Sequence, residues 1–393
     1  MNEIATGIDV GTHRVKVVIA EAPDDVRMPP RILGTGYAKS QGVKRGWIVS
    51  PEDAARSIAA AARQAAKAAN VKKVRRAFVS VGGEGLHELL SRAESVVERG
   101  DSEITARDIE RVGAASEAAL SPAMLQNRRI LHNIALRYSL DGVRFLGKNP
   151  VGVKAARLGV ESIFFAAQKK HVDDLGEALG IAGIEAEDVV AAPLAASFVA
   201  LTKPQKRVGA ALLDIGAETS TLIVFEDELP VSTIVFPLGA DDVAADLALA
   251  LKIPLEEAVE LARGAVIGAS YSQRKVDETV DKRLAIIFRA VEGHLKKLEK
   301  NGLLPAGIQL VGGGSQLGPA PAVAQKILKL PARAAPLSLG ESGRGQLNDG
   351  SWAVAYGLTV WGLNNKEEYE LADRGVTREL FGGVWRFVKK FLP

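Results

Sequence analysis

Ile8-Asp9-Val10-Gly11-Thr12 and Leu213-Asp214-Ile215-Gly216 carry one pattern twice. Each Asp-X-Gly follows an apolar, β-branched run and precedes another, Arg14 to Ala20 in the first copy and Thr221 to Phe225 in the second. The pattern predicts strand, tight turn, strand, with a carboxylate at the tip and glycine where a bulkier side chain would block a ligand. Two such turns facing each other across a cleft make a clamp for the phosphates and metal ion of a nucleotide. Mg²⁺ prefers carboxylates and retained waters, which points to Asp9 and Asp214 as its ligands. The backbone N–H groups of Gly11, Thr12 and His13 could cradle phosphate oxygens, as could those of Gly216 and Ala217, with Glu218 and Thr219 completing the second loop.

Working outward, each copy opens a similar series. The first runs strand, strand, Arg31–Tyr37, a helix and then Ala77–Val81. Its helix starts at Ser50-Pro51-Glu52-Asp53, a Ser cap, a Pro at the first helical position and acids in the first turn. The second series runs Ala210–Asp214, Thr221–Phe225, Pro230–Phe236 and a helix from Asp241 to Leu251. A duplication on this scale predicts two related halves. Residues 83–164 match neither half and read as an inserted subdomain, with Thr105 capping a helix over Ala106–Leu120 and strands near Ile130–Leu140 and Arg157–Phe165. A charged helical stretch, Leu255–Leu304, reads as a smaller insertion, and a helix is expected over Ala322–Leu330.

Val311-Gly312-Gly313-Gly314-Ser315-Gln316 is a third glycine-rich segment after an apolar strand. Glycines there let the backbone approach a flat group such as an adenosine. No Gly-Lys-Ser/Thr follows, so it is not a Walker A loop. The five histidines, His13, His87, His132, His171 and His294, stand singly and read as structural or surface residues, although His13 lies close enough to the first loop to touch a phosphate.

The chain has 393 residues, a net charge of +3 and no cysteine. That length suits more than one core. The small net charge gives no case for a nucleic-acid partner, and the lack of cysteine excludes disulfides and thiolate metal sites. The opening MNEIATGIDVG shows no signal-peptide pattern, and no window holds the roughly 18 consecutive apolar residues of a membrane span.

The last sixteen residues differ in kind. As a helix, Leu380, Phe381, Val384, Trp385, Phe387, Val388, Phe391 and Leu392 fall within one arc of about 160°, with Arg378, Arg386, Lys389 and Lys390 on the other side. Such a helix can lie in the interface of an anionic membrane. Gly382 and Gly383 weaken the free helix by about 1 kcal/mol each, so it is expected to order on lipid. Residues 364–377, polar and acidic, read as a flexible linker before it.

These residues resemble a known superfamily, that of actin, Hsp70 and the sugar kinases. The resemblance rests on the two Asp-X-Gly loops, the glycine-rich adenosine loop, the segment Asp349-Gly350-Ser351-Trp352-Ala353-Val354-Ala355-Tyr356-Gly357, and Glu187 to Ala196 as a first interdomain connection. Within the superfamily the chain resembles the FtsA family of bacterial division proteins end to end. Gly46 to Ser50, Glu103 to Val112, and Asn149 to Val153 with Arg157-Leu158 are the stretches that carry this. The resemblance implies an α/β chain with an actin-like ATPase fold. Two duplicated ribonuclease H-like domains would surround a nucleotide cleft, with an inserted 1C subdomain and a C-terminal amphipathic helix. The implied division is 1A over 1–82, 165–194 and 351–363, 1C over 83–164, 2A over 195–240 and 305–350, 2B over 241–304, a linker over 364–377 and a membrane-targeting helix over 378–393. It implies ATP and Mg²⁺ as ligands, at most slow ATP hydrolysis, and self-association into filaments. It also implies docking of the FtsZ C-terminal tail on 2B, contacts of 1C with later division proteins, and a place on the cytoplasmic face of the inner membrane at the division site.

The second loop departs from the family pattern, which usually reads Asp-Ile-Gly-Gly-Gly-Thr. Glu218 stands where a glycine is usual, adding a negative charge near the expected γ-phosphate. No catalytic base is assigned from the sequence. Two other readings of the same fold stay open: a small-molecule kinase, and a PilM-like scaffold for pilus assembly, a family that lacks the lipid-binding tail.

Overall fold

The computed structural model describes residues 3–25, 28–98, 100, 102–262, 271–337 and 349–373, the last eight of these by their backbone alone. The chain runs β1 (Ile4–Val10), β2 (Arg14–Glu21), β3 (Arg31–Lys39), β4 (Val43–Lys44), β5 (Trp47–Ile48), α1 (Pro51–Ala68) and β6 (Arg76–Val81). The insertion follows as β7 (Leu86–Val96), α2 (Ala106–Ala118), α3 (Pro122–Leu125), β8 (Arg128–Leu140), β9 (Val143–Arg144) and β10 (Arg157–Gln168). Then come α4 (Lys169–Ile181), β11 (Glu185–Ala191), α5 (Ala192–Ala200) and α6 (Lys203–Val208). The second half is β12 (Ala210–Ile215), β13 (Ser220–Glu226), β14 (Leu229–Phe236), α7 (Ala240–Leu251), α8 (Leu255–Ala262), α9 (Gln273–Lys297), β15 (Ile308–Val311), α10 (Ala320–Leu328), β16 (Ala332–Ala334) and α11 (Ala353–Asp373).

The duplication is visible strand by strand. One sheet has the order β3-β2-β1-β6-β11 and the other β14-β13-β12-β15-β16. In each, the central strand pairs antiparallel with the next strand in sequence and parallel with the one that returns after a helical stretch. Asp9 and Asp214 therefore occupy equivalent places, both near the carboxyl end of a central strand, where ligands of open α/β sheets bind. The strands read as near-continuous apolar runs because both faces are covered: Ala210 to Leu213 are all buried.

The first sheet packs α1 and α4 around Ile8, Val17, Ile58 and Leu175, and the second packs α9 and α10 around Leu213, Leu284 and Phe288. Ser50 caps α1 by accepting from the Asp53 N–H at 3.3 Å, and Thr105 meets the Asp108 carboxylate at the start of α2. The insertion is an antiparallel sheet of order β7-β10-β8-β9 covered by α2 through Ile109 and Val112. Its base is tied to the second half: the Glu88 carboxylate accepts from Ser232 Oγ at 2.9 Å and from the Thr233 N–H.

Between the two halves, α5 and α11 cross closely. A Cβ on Gly357 would lie 1.9 Å from the Ala195 carbonyl oxygen, so only glycine fits there. One expectation is corrected here. The linker read from residue 364 is helical as far as Asp373, because α11 continues through Asn-Asn-Lys-Glu-Glu-Tyr-Glu-Leu-Ala-Asp. Several of those residues are strong helix formers, and a polar helix extends readily from a packed one. The amphipathic segment 378–393 lies outside the described residues. Among the described residues, no helix is long and apolar enough to cross a membrane.

Candidate functional site

A cavity of about 440 Å³ opens between the two sheets. That size suits a small ligand. The turn after β1 and the turn after β12 face each other across it. Asp9, Gly11, Thr12 and His13 line one side, Asp214, Gly216, Ala217 and Thr219 the other, and Gly312, Gly313 and Gly314 close a third wall. Eleven of the thirteen ligand-binding residues expected from the sequence thus share one cavity. Glu218 and Ser315 do not line it.

Each exception has a local cause. Ser315 is buried, and its hydroxyl donates to the Gly312 carbonyl at 2.7 Å, closing the glycine-rich loop from behind. Glu218 turns away from the cavity and accepts the backbone N–H of Arg45 from the other half of the molecule. The negative charge expected at the phosphate site therefore bridges the two halves instead. One donor is also taken: the Gly216 N–H donates to the Thr219 carbonyl at 2.8 Å inside its own turn.

The two acids are held differently. Asp9 accepts from Ser80 Oγ at 3.0 Å and lies 3.7 Å from Lys16 Nζ. Asp214 stands against the glycine-rich loop, where Gly312 has φ +81° and a Cβ would sit 2.2 Å from Asp214 Oδ1. Burial pushes the Asp214 carboxyl up to about 6, the Asp9 charge pushes the same way, and Lys16 opposes them. Two carboxylates in mutual repulsion, one in a cradle that a side chain would fill, are a donor set suited to a hard divalent cation. Asp9 and Asp214 are the pair that could hold it, and Lys16 and Thr12 could meet phosphate oxygens.

The sequence reading missed several wall residues. Lys16 is a cation set inside the apolar run Val15–Ala20 of β2, directly across from Asp9 in the β1–β2 register. That isolation was the available signal. Ser80, Gln316, Asp349 and Ser351 also line the cavity. His171 does too, and it is buried. It sits in the first turn of α4, which no motif marked. The β4–β5 hairpin organises this side: the Gly46 N–H donates to Thr12 Oγ1 at 3.0 Å, and Trp47 packs on His171 with ring centroids 5.2 Å apart.

Comparison with known proteins adds identity to this geometry. The profile of "Cell division protein FtsA" matches residues 211–357, and that of "SHS2 domain inserted in FTSA" matches residues 85–165, the inserted sheet. The cell division protein FtsA of Pseudomonas aeruginosa is 28% identical, with 93% of this chain and 91% of that protein aligned. That of Bacillus subtilis is 29% identical over 85% of this chain and 79% of its own length. Among solved structures, a PilM–PilN type IV pilus biogenesis complex superposes with a TM-score of 0.68 at 18% identity, covering 91% of this chain and 98% of that one. MreB 5 of Spiroplasma citri bound to AMPPNP gives 0.52 at 11% identity, covering 95% and 99%. These structural likenesses speak to the fold, which is actin-like. With one family profile on the second half, another on the inserted sheet, and relatives aligned along most of the chain, the chain belongs to the family of the cell division protein FtsA.

Proposed function

We propose that the chain binds ATP with Mg²⁺ between its two halves, assembles into filaments and tethers FtsZ filaments to the cytoplasmic face of the inner membrane during cell division. One observation carries the nucleotide part: Asp9 and Asp214, on duplicated turns, face a common cavity and repel each other there. In this reading Asp9 and Asp214 hold the cation through its waters, Lys16 and the first turn meet the phosphates, and the Gly312–Gly314 loop takes the nucleoside. Bound Mg²⁺ would neutralise phosphate charge. The chain's own residues orient the triphosphate and shut out bulk water.

Membership of the family and the sequence of the tail support the remaining parts. Leu380, Phe381, Val384, Trp385, Phe387, Val388, Phe391 and Leu392 would enter the lipid interface, with Arg386, Lys389 and Lys390 at anionic headgroups. Each basic group adds about 1 kcal/mol near such a surface, so binding by one tail is weak and filaments are needed to hold it. The FtsZ tail would dock on residues 241–304, and the inserted subdomain would face neighbouring protomers and later division proteins.

The test has two arms. Titration calorimetry with ATP and Mg²⁺ should give saturable binding in the wild type and none in Asp9→Ala or Asp214→Ala; equal binding in all three removes the nucleotide reading. Removal of residues 378–393, or Trp385→Glu, should release the protein from anionic liposomes. Undiminished sedimentation with vesicles removes the tether.

A further inference from the structure

One strand beside the cavity carries a hydroxyl to which the nucleotide reading gives no part. β6 reads Arg-Ala-Phe-Val-Ser-Val and is buried after its first residue. Ser80 is the one polar side chain in that buried run; it is 6% exposed and lines the cavity. A hydroxyl buried in an apolar strand is costly unless it is hydrogen-bonded. β1 and β6 run parallel, with Gly7 beside Phe78 and Ile8 beside Val79. One residue further on, Ser80 Oγ donates to Asp9 Oδ1 at 3.0 Å.

The other oxygen of the same carboxylate has a different neighbour. Asp9 Oδ2 lies 3.7 Å from Nζ of Lys16, which stands across from it on β2. The two partners differ in how firmly they are held. An ammonium on a flexible four-carbon stem can turn from Asp9 to a phosphate oxygen. The Ser80 hydroxyl hangs from a single Cβ, on a strand paired with β1 on one side and β11 on the other. It keeps its hold on Oδ1 when Lys16 turns away.

The duplication supplies an internal comparison. β12 pairs with β15 as β1 pairs with β6, and there the residue beside Asp214 is Val311. Across from Asp214 on the antiparallel side is Thr221, where the first half has Lys16. The second acid therefore has an aliphatic side chain in the place that Ser80 takes beside the first. The parallel neighbour strand anchors one acid of the pair and has no donor side chain for the other.

We propose that Ser80 is a positioning residue for the cation: it fixes the Asp9 carboxylate so that the remaining lone pairs meet the waters of Mg²⁺ in the cleft. This rests on the nucleotide reading above. Ser80 acts through Asp9, as the hydrogen-bond partners of metal-binding carboxylates do, and losing such a partner costs about ten- to hundredfold in metal affinity.

The experiment uses the full chain, ATP and Mg²⁺, with Ser80→Ala and Ser80→Thr. Ala removes the hydroxyl, and Thr keeps it in a residue suited to strands. ATP binding is followed by calorimetry at a series of Mg²⁺ concentrations. The Mg²⁺ concentration for half-maximal binding should rise about tenfold or more in Ser80→Ala and stay within about threefold of the wild type in Ser80→Thr. Raising Mg²⁺ by the same factor should return the Ala variant to wild-type occupancy, which it would not do for a distorted cleft. An unchanged Mg²⁺ dependence in Ser80→Ala overturns the proposal and leaves the nucleotide reading standing. A loss that excess Mg²⁺ does not repair, or that Ser80→Thr shares, makes Ser80 a packing residue and overturns the proposal as well. A wild type without Mg²⁺-dependent ATP binding overturns the nucleotide reading and this one with it.

Discussion

The backbone N–H of Arg45 donates to the carboxylate of Glu218 across the mouth of the cleft. The bond joins the β4–β5 hairpin of one half to the second phosphate turn of the other. The charge of Glu218 is used as a strap between the halves.

Replacing Glu218 by Gly should loosen that strap. A hydrogen bond to a charged group is worth about 1.5–3 kcal/mol, so amide exchange at Arg45 should quicken by tenfold or more. Hydrogen-exchange mass spectrometry of the hairpin peptide checks this. An unchanged rate would mean that the hairpin is held by Thr12 and Glu84 without Glu218.

Asp214 makes stability depend on pH. Its folded pKa, about 6, lies above the ordinary 3.8, so the unfolded chain releases this proton first. Stability is therefore present below pH 3.8 and lost as pH rises through 6. Without divalent cation, the wild type should lose about 1–3 kcal/mol between pH 4 and pH 7 relative to Asp214→Asn. Adding Mg²⁺ at pH 7 should restore the wild type and leave the variant unchanged. Urea unfolding at a series of pH values measures both effects.

Lys206 offers the opposite case. It is buried, donates to Ser197 Oγ at 3.1 Å, and lies 4.9 and 4.7 Å from the centroids of Phe198 and Phe225. Burial holds its ammonium down at about 7, against 10.5 in the open chain. Between those values the unfolded state carries the extra proton, so stability rises as pH climbs from 7 to 10.5. Lys206→Met should flatten that rise and stabilise the protein at pH 7 by about 1–4 kcal/mol. Thermal melts of the two proteins at pH 7 and pH 10 provide the comparison, and a less stable variant at pH 7 would contradict it.

Gly357→Val should strike the junction between the halves. The Cβ would collide with the Ala195 carbonyl, and overpacking of this kind costs about 1–3 kcal/mol. A fall in unfolding midpoint is expected, whereas Gly176→Val on the far side of α4, where a Cβ meets nothing within 4 Å, should change it far less.

The duplicated architecture was legible because the continuous apolar runs and the Asp-X-Gly turns are local signals. So was α1, whose Ser50-Pro51 start sets its own cap. Less accessible was β11, which opens with Glu-Ala-Glu-Asp and gains its place only by pairing with β6. His171 was passed over since its relevance comes from β5 packing against α4, a contact between residues 124 positions apart. The direction of Glu218 depended likewise on Arg45, from the opposite half. Residues 364–377 were read as a flexible linker because polar composition was taken as a stop signal, when it is only a neutral one for a helix already nucleated.

That length has a mechanical consequence. α11 is a single helix of 21 residues, and such a rod spans about 30 Å. Its near end is the bearing on which Ala195 and Gly357 meet. From that crossing to Asp373 the helix runs about 24 Å. Residues 374–393 follow Asp373 in the sequence, so the rod sets how far from that crossing they begin.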